Sequence, residues 1–258
     1  MDLLNYTFKK REKFDILWDW FHDKDFRSLL CLDLGCAKGI MSAAIRKLGG
    51  TWISADLDWS NVSSTRSLVS NNVIQIHEYN LPFKNASFDK VVLLDFLEHI
   101  LDDTKCLQEI HRIIKTDGIF IVSTPKTGAS LFLNKIKPLF GLTLDKYGHV
   151  REGYTEQQLA VLLEKSGFSV LCVKNYSHLL TESIEMILNS IYVKINKNEI
   201  DKRDGYISPA SQDDYEKHST AFKLYKIAYP FLWWLSRLDC ILKIAGAYAI
   251  MIKAKKMV

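Results

Sequence analysis

The stretch Leu29–Gly39, reading Leu-Leu-Cys-Leu-Asp-Leu-Gly-Cys-Ala-Lys-Gly, constrains the fold of this chain more than any other. Its apolar run, ending in one carboxylate, predicts a strand buried on both faces, and the small residues of Gly35–Gly39 predict a tight turn that opens a helix at Ile40. Gly35 permits the turn, the small Ala37 lets backbone amides approach a ligand, and Gly39 lets the helix start pack on the strand. A buried strand, a glycine turn and a helix N-terminus in succession make a site for a nucleotide-like ligand.

Two acids narrow the choice of ligand. The second hydrophobic run, Thr51–Ala55, ends in Asp56, about twenty residues after the turn, where a carboxylate bonds both hydroxyls of a ribose. Asp33 stands before the first glycine, and a negative charge there repels pyrophosphate but suits an ammonium or sulfonium group. The reading moves from a nicotinamide dinucleotide to S-adenosylmethionine.

The order of the remaining elements sets the fold class. Phe14, Leu17, Trp18 and Phe21 predict an amphipathic helix whose polar positions, Lys9 to Lys13 and Asp23 to Lys24, are expected to be solvated. After Asp56, a helix capped by Asp58 or Ser60 runs to Val69, and Val73–His77 reads as a third strand. Phe88–Leu94 is a fourth strand, 102–115 a helix closed by Asp117-Gly118, and Ile119–Ser123 a fifth strand stopped by Pro125. Thr155-Glu156-Gln157-Gln158 is a capping box before a helix that ends at Gly167, and Phe168–Val173 follows as a strand. Strands alternating with helices specify a doubly wound α/β fold with a mostly parallel sheet.

Past that strand the pattern changes. An apolar stripe of Ile184, Ile187, Leu188 and Ile191 predicts a helix, 196–214 a polar surface loop, and Tyr225, Tyr229, Trp233 and Trp234 further helix before a last strand, Ala247–Lys253. Trp233 and Trp234 are expected on the core. Residues 176–246 read as a helical insertion that sets acceptor specificity, within a single domain spanning 1–258.

Of the 258 residues, 48% are hydrophobic and 25% charged, ordinary globular values, and the net charge of +4 requires no anionic partner. The five cysteines form no Cys-x-x-Cys pair and read as reduced in a cytoplasmic protein; no metal site is expected. No apolar signal segment opens the chain, and Arg237, Asp239 and Lys243 interrupt the apolar region 227–252, leaving only peripheral membrane contact open.

Together, Leu32–Gly39, Asp56, Leu81-Pro82-Phe83 before Ser87-Phe88-Asp89, Leu97-Glu98-His99-Ile100, the run 107–115, Ser123-Thr124-Pro125 and Gly148-His149-Val150-Arg151 resemble class I S-adenosylmethionine-dependent methyltransferases. The likeness is to the small-molecule branch that includes ubiquinone and sugar methyltransferases. It implies a Rossmann-like, seven-stranded sheet with the last strand antiparallel, and S-adenosylmethionine as cofactor. By the same resemblance, Asp33, Gly35, Cys36, Ala37 and Gly39 hold the methionine part, and Asp56 with Leu57 the ribose. Tyr79, Asn80 and Leu81 edge the adenine, and Asp95 and Phe96 lie by the sulfonium. Ala37 stands where the family most often has a glycine.

The methyl group of such a cofactor is already activated, so the chain mainly places an oxygen, nitrogen or carbon nucleophile in line and excludes water. His149 and His99 are the candidate bases at the carboxyl edge of the sheet, and Arg151 and Tyr154 the candidate acceptor-holding residues. The acceptor is expected to be a small molecule: a sugar, a quinone or phenol, or a hydrophobic or lipid-linked metabolite. A non-catalytic cofactor-binding module and a nucleic-acid methyltransferase stand as alternatives. The second lacks an Asn/Asp-Pro-Pro-aromatic loop or Pro-Cys nucleophile, and the dispersed basic residues make no phosphate-tracking run, so no nucleic acid is expected.

Overall fold

Strands β1 (Leu30–Leu34), β2 (Thr51–Asp56), β3 (Val73–Gln75), β4 (Phe88–Leu94), β5 (Ile114–Pro125), β6 (Phe168–Tyr176) and β7 (Ala249–Lys256) build one sheet, in the order β3-β2-β1-β4-β5-β7-β6. The computed structural model describes residues 3–21, 25–128, 131–195, 219–239 and 246–257. The first five strands pair in parallel, and β7 lies antiparallel between β5 and β6. Because β1 is flanked by β2 and β4 and covered on both faces, its apolar residues Cys31, Leu32 and Leu34 are all buried.

Helices α1 (Phe8–Phe21) and α2 (Ile40–Ile45) cover one face through Leu17, Phe21, Ala44 and Ile45. On the other face α4 (Asp103–Ile113) and α7 (Glu156–Lys165) insert Leu107, Ile110, Leu159 and Leu163, after α3 (Trp59–Val69) has connected β2 to β3. Between β5 and α7 the chain forms α5 (Phe132–Ile136), a 3-10 turn at Lys137–Phe140, and α6 (Leu144–Tyr147). Two further helices, α8 (Leu179–Ile195) and α9 (Ser219–Arg237), pack on each other and on Phe8 through Ile184, Leu188, Tyr229 and Leu232. No helix among the described residues is long and apolar enough to cross a membrane.

The predicted caps form as read: Asp58 accepts from the Ser60 amide, and Thr155 and Gln158 make a reciprocal capping box. Several boundaries move. Helix α4 ends at Ile113 because Ile114 turns extended and enters β5, while Asp117 adopts φ +66 within that strand, so the Asp117-Gly118 pair is a bend rather than a helix stop. Strand β3 stops at Gln75, β6 continues to Tyr176, and β7 runs to Lys256.

Five side chains contradict the pattern from which they were read. Lys13 is not solvated: it is 5% exposed, on the stripe of Leu17 and Phe21. Trp18 is exposed and Phe8 is buried in its stead; on α8, Ile187 and Ile191 leave the predicted buried stripe and face solvent. Trp233 stacks on Tyr229 beneath the Arg11 guanidinium, 4.1 Å from its ring, whereas Trp234 is 59% exposed. Cys31, Cys36 and Cys106 are buried free thiols. The polar loop 196–214, Asp23, Lys24 and Cys240 lie outside the described residues.

Candidate active site

At the carboxyl edge of β1, β2 and β4 a cleft of about 830 Å³ runs from Asp56 and Leu57, past Asp33, Gly35, Cys36, Ala37 and Gly39, to Asp95 and Phe96. The turn that forms its floor is tied down internally. The amides of Gly35 and Cys36 donate to Ala55 O (2.8 and 3.1 Å), that of Ala37 to Asp56 Oδ2 (2.8 Å), and that of Gly39 to Cys36 O (3.0 Å). Ala37 holds φ +47, a left-handed conformation that costs a residue with a Cβ about 1 to 2 kcal/mol, and the Asp56 bond offsets part of that cost. The expected approach of these amides to a ligand is therefore corrected, since their hydrogens point into the protein.

The acids are placed with equal care. Asp33 is 1% exposed and accepts from the hydroxyls of Ser42 and Ser54, and burial pushes its carboxyl up to about 6. It braces β1 against β2 and α2 as well as lining the cleft. Asp56 accepts from the Ala37 and Asp58 amides and from Asn61 Nδ2, so it clamps the start of α3 to the turn. Asp95, at φ +50, pairs with Lys13 Nζ and accepts from Ser123 Oγ (2.9 Å). Burial alone would raise its carboxyl, but the Lys13 ammonium holds it below the usual range.

Tyr79 and Asn80, with Glu78, line an adjoining depression of about 480 Å³ that shares Leu57 with the cleft. Leu81 lines neither: it is buried, and its amide donates to Glu109 Oε2 (3.0 Å) while Arg112 donates to its carbonyl (3.0 Å). It supports the depression from below.

Beyond Phe96 the cleft widens between Glu98, His99 and His149. Gly148, at φ +66, ends α6, and the amides of His149 and Val150 donate to Leu144 O and Glu98 O (3.0 Å each). The Tyr154 amide bonds Pro125 O (3.1 Å), which lays the 148–154 segment along the end of β5. Accordingly the His99 and His149 rings meet edge to face at 4.7 Å, and His99 Nδ1 lies 3.0 Å from Gly148 O. Burial, with the nearby His99 charge, lowers His149 to about 4. Glu98 is fully buried, neither of its carboxylate oxygens has a hydrogen-bond partner, and burial followed by the Asp95 charge raises it to about 8. The donor atoms of Glu98, His99 and His149 lie within 4.8 Å of one another, close enough to share a cation.

Arg151 and Tyr154 do not reach the cleft. Arg151 pairs with Asp103 (2.6 Å) and donates to Leu101 O (3.0 Å), and the Tyr154 hydroxyl bonds both Asp103 (2.7 Å) and Arg151. Their polar groups are consumed in fastening the loop to α4. In their place the cleft is lined by Lys9, Lys10, Lys13, Lys137, Glu182 and Glu185, which the sequence reading missed. One signal was present: Lys13 and Lys9 stand four and eight residues before Leu17, on the stripe that becomes the buried face of α1. Trp233 and Trp234 lie outside the cleft lining.

Residues 32–122 match the methyltransferase-domain family. Over this stretch the chain is similar to class I methyltransferase domains. The fold is similar to that of a SAM-dependent methyltransferase from Archaeoglobus fulgidus, with a TM-score of 0.57 at 16% identity, covering 95% of this chain and 92% of that one. Among curated relatives, the human mitochondrial arginine-hydroxylase NDUFAF5 is 29% identical over 174 residues, 65% of this chain and 50% of its own. The ubiquinone biosynthesis O-methyltransferase of Dinoroseobacter shibae is 26% identical over 151 residues, 55% of this chain and 60% of its own. The chain thus spans about half the length of the curated relatives it matches.

Proposed function

We propose that the protein transfers the methyl group of S-adenosylmethionine to a small polar acceptor, with His149 as base or anchor for that acceptor. The observation that carries this reading is a single cleft with Asp33, Asp56 and Asp95 along the glycine-turn end and two imidazoles at the other. The donor set fits the cofactor. With the amides of Gly35, Cys36, Ala37 and Gly39 engaged inside the protein, the carboxylates at that end suit hydroxyl, ammonium and sulfonium groups.

Asp56 and Leu57 would hold the ribose, Tyr79 and Asn80 the adenine edge, and Asp95 with Phe96 the sulfonium end. Bound there, the cofactor supplies an activated methyl group, and the remaining work falls to the chain. His149, neutral near pH 7, receives the acceptor proton on a ring nitrogen, and its buried setting keeps water from competing. His99, whose Nδ1 lies 3.0 Å from Gly148 O, meets the His149 ring edge to face and orients it. Lysines and carboxylates crowd this end of the cleft, which supports a polar acceptor over the hydrophobic or lipid-linked one first expected.

Calorimetry with S-adenosylmethionine and S-adenosylhomocysteine, followed by homocysteine release over sugar, quinone, phenol and fatty-acid acceptors, tests the reading. Failure to bind either nucleoside ends it. A protein that binds both yet forms no S-adenosylhomocysteine with any acceptor is the non-catalytic module instead. The arginine-hydroxylase relative makes this product assay decisive, because one fold hosts several reactions.

A further inference from the structure

At the acceptor end, two lysines from remote parts of the chain converge on one acid. Lys9 Nζ of α1 and Lys137 Nζ of the turn after α5 lie 2.7 and 2.6 Å from the two oxygens of Glu182 on α8, and the Ser177 hydroxyl also donates to Glu182 (2.6 Å). Glu182 is 2% exposed; burial alone would raise its carboxyl, but the two ammoniums bring it down to about 2. The cluster belongs to the imidazole side of the cleft, because Tyr147, whose ring is 5.5 Å from that of His149, lies within the fields of Lys9 and Glu182.

Among the groups at this end that are not exposed, the charges do not cancel. Lys13 is matched by Asp95, and Glu185, which accepts the Lys9 amide (3.1 Å), stands against Lys10, which has no ion-pair partner among the described residues. Glu98 is held protonated at neutral pH, and Asp145 and Glu152 are exposed at the rim. Lys9 and Lys137 together therefore carry one positive charge more than Glu182 neutralises. Each ammonium has three donors; Lys9 uses one on Glu182, and Lys137 uses two, on Glu182 and Asn134, so both retain donors for the cleft they line. A bound sulfonium would add to the positive excess.

We propose that the acceptor carries an acidic group, a carboxylate or a phosphate, and that Lys9 and Lys137 hold it as specificity-determining residues. An anion seated there neutralises the excess and accepts the spare donors. The inference rests on the methyl-transfer reading above.

Inorganic phosphate and benzoate, titrated calorimetrically into protein saturated with S-adenosylhomocysteine, test it with variants of opposite expected sign. Lys137→Met should weaken anion binding about tenfold and Glu182→Gln should strengthen it severalfold, each with S-adenosylhomocysteine affinity within twofold of wild type. Should Glu182→Gln not fold, Lys137→Arg, which keeps the charge, should retain anion binding within about twofold. Preference for phosphate or for benzoate tells which acid the site takes. Failure of both anions to bind, or equal binding by wild type and Lys137→Met, overturns the proposal. A parallel loss of S-adenosylhomocysteine affinity in Lys137→Met assigns the lysines to the cofactor and also overturns it, while methyl transfer stands. A wild type that binds no S-adenosylhomocysteine removes the methyl-transfer reading, and the acidic acceptor with it.

Discussion

At the glycine turn the cleft wall is made of residues 33–39 and 54–61, adjoining strands and their loops, fastened by backbone amides and by carboxylates that never leave the neighbourhood. At the imidazole end the wall is assembled from α1, the turn at Leu97–His99, the 134–149 segment and α8, with partners as much as 176 residues apart joined by hydrogen bonds and ion pairs. A local motif makes a rigid seat whose shape is fixed by backbone geometry. Distant charged side chains make a pocket that substitution and pH can retune without unmaking the seat.

The sharpest way to break this contrast is to attack the seat by bulk. A Cβ at Gly35, already at φ +80, would stand 2.5 Å from the Phe96 ring, so Gly35→Val should abolish S-adenosylhomocysteine binding by calorimetry. A folded variant that still binds would show that the turn is softer than its hydrogen bonds imply.

His149→Ala should act at the other end alone, lowering turnover by roughly 100-fold or more and leaving cofactor affinity unchanged. Because burial lowers His149 to about 4, the wild-type rate should show no basic-group limb between pH 6 and 7. Weak cofactor binding with normal turnover at saturation would instead place His149 in the seat. Asp56→Ala should weaken S-adenosylhomocysteine by about ten- to a hundredfold, the equivalent of about 1.5 to 3 kcal/mol, and lower the melting temperature as well, since Asp56 also clamps Ala37 and Asn61. An unchanged affinity would remove the ribose assignment.

The smallest effect concerns Glu98. Its folded pKa of about 8 lies above the ordinary 4.5, so its contribution to stability is present below about pH 4.5 and is lost as pH rises through 8. Glu98→Gln should therefore melt several degrees above wild type at pH 9 and close to it at pH 5, as read by scanning calorimetry. A pH-independent difference would mean that Glu98 has a partner at high pH.

This division also explains what could be read in advance. The strand-turn-helix unit, the place of Asp56 at the end of β2, and the caps at Asp58 and Thr155 follow from residues close in sequence, and the structure reproduces them. His99 and His149 were legible as candidates because each sits at a loop at the sheet edge. Lys9, Lys137 and Glu182 were not, because no periodicity relates a first helix to an eighth; only the fold brings them together. Arg151 and Tyr154 misled for the converse reason: a polar side chain near a site may serve the loop that carries the site.

The place of β7 bears on how the chain comes to be folded at all. Among the described residues strand β6 pairs with β7 alone, and β7 pairs Lys255 with Ile119 and Lys256 with Phe168. While the polypeptide is being made, β1 to β5 can assemble in order, but the outer edge of β5 stays open until residues 249–256 have emerged, and β6 has no strand to join before then. Pairing over such separations is slow, and an open strand edge is a template for other chains. Refolding from denaturant should accordingly show a late phase reported by Tyr176 and Tyr248 near that seam, and yield should fall as protein concentration rises during that interval.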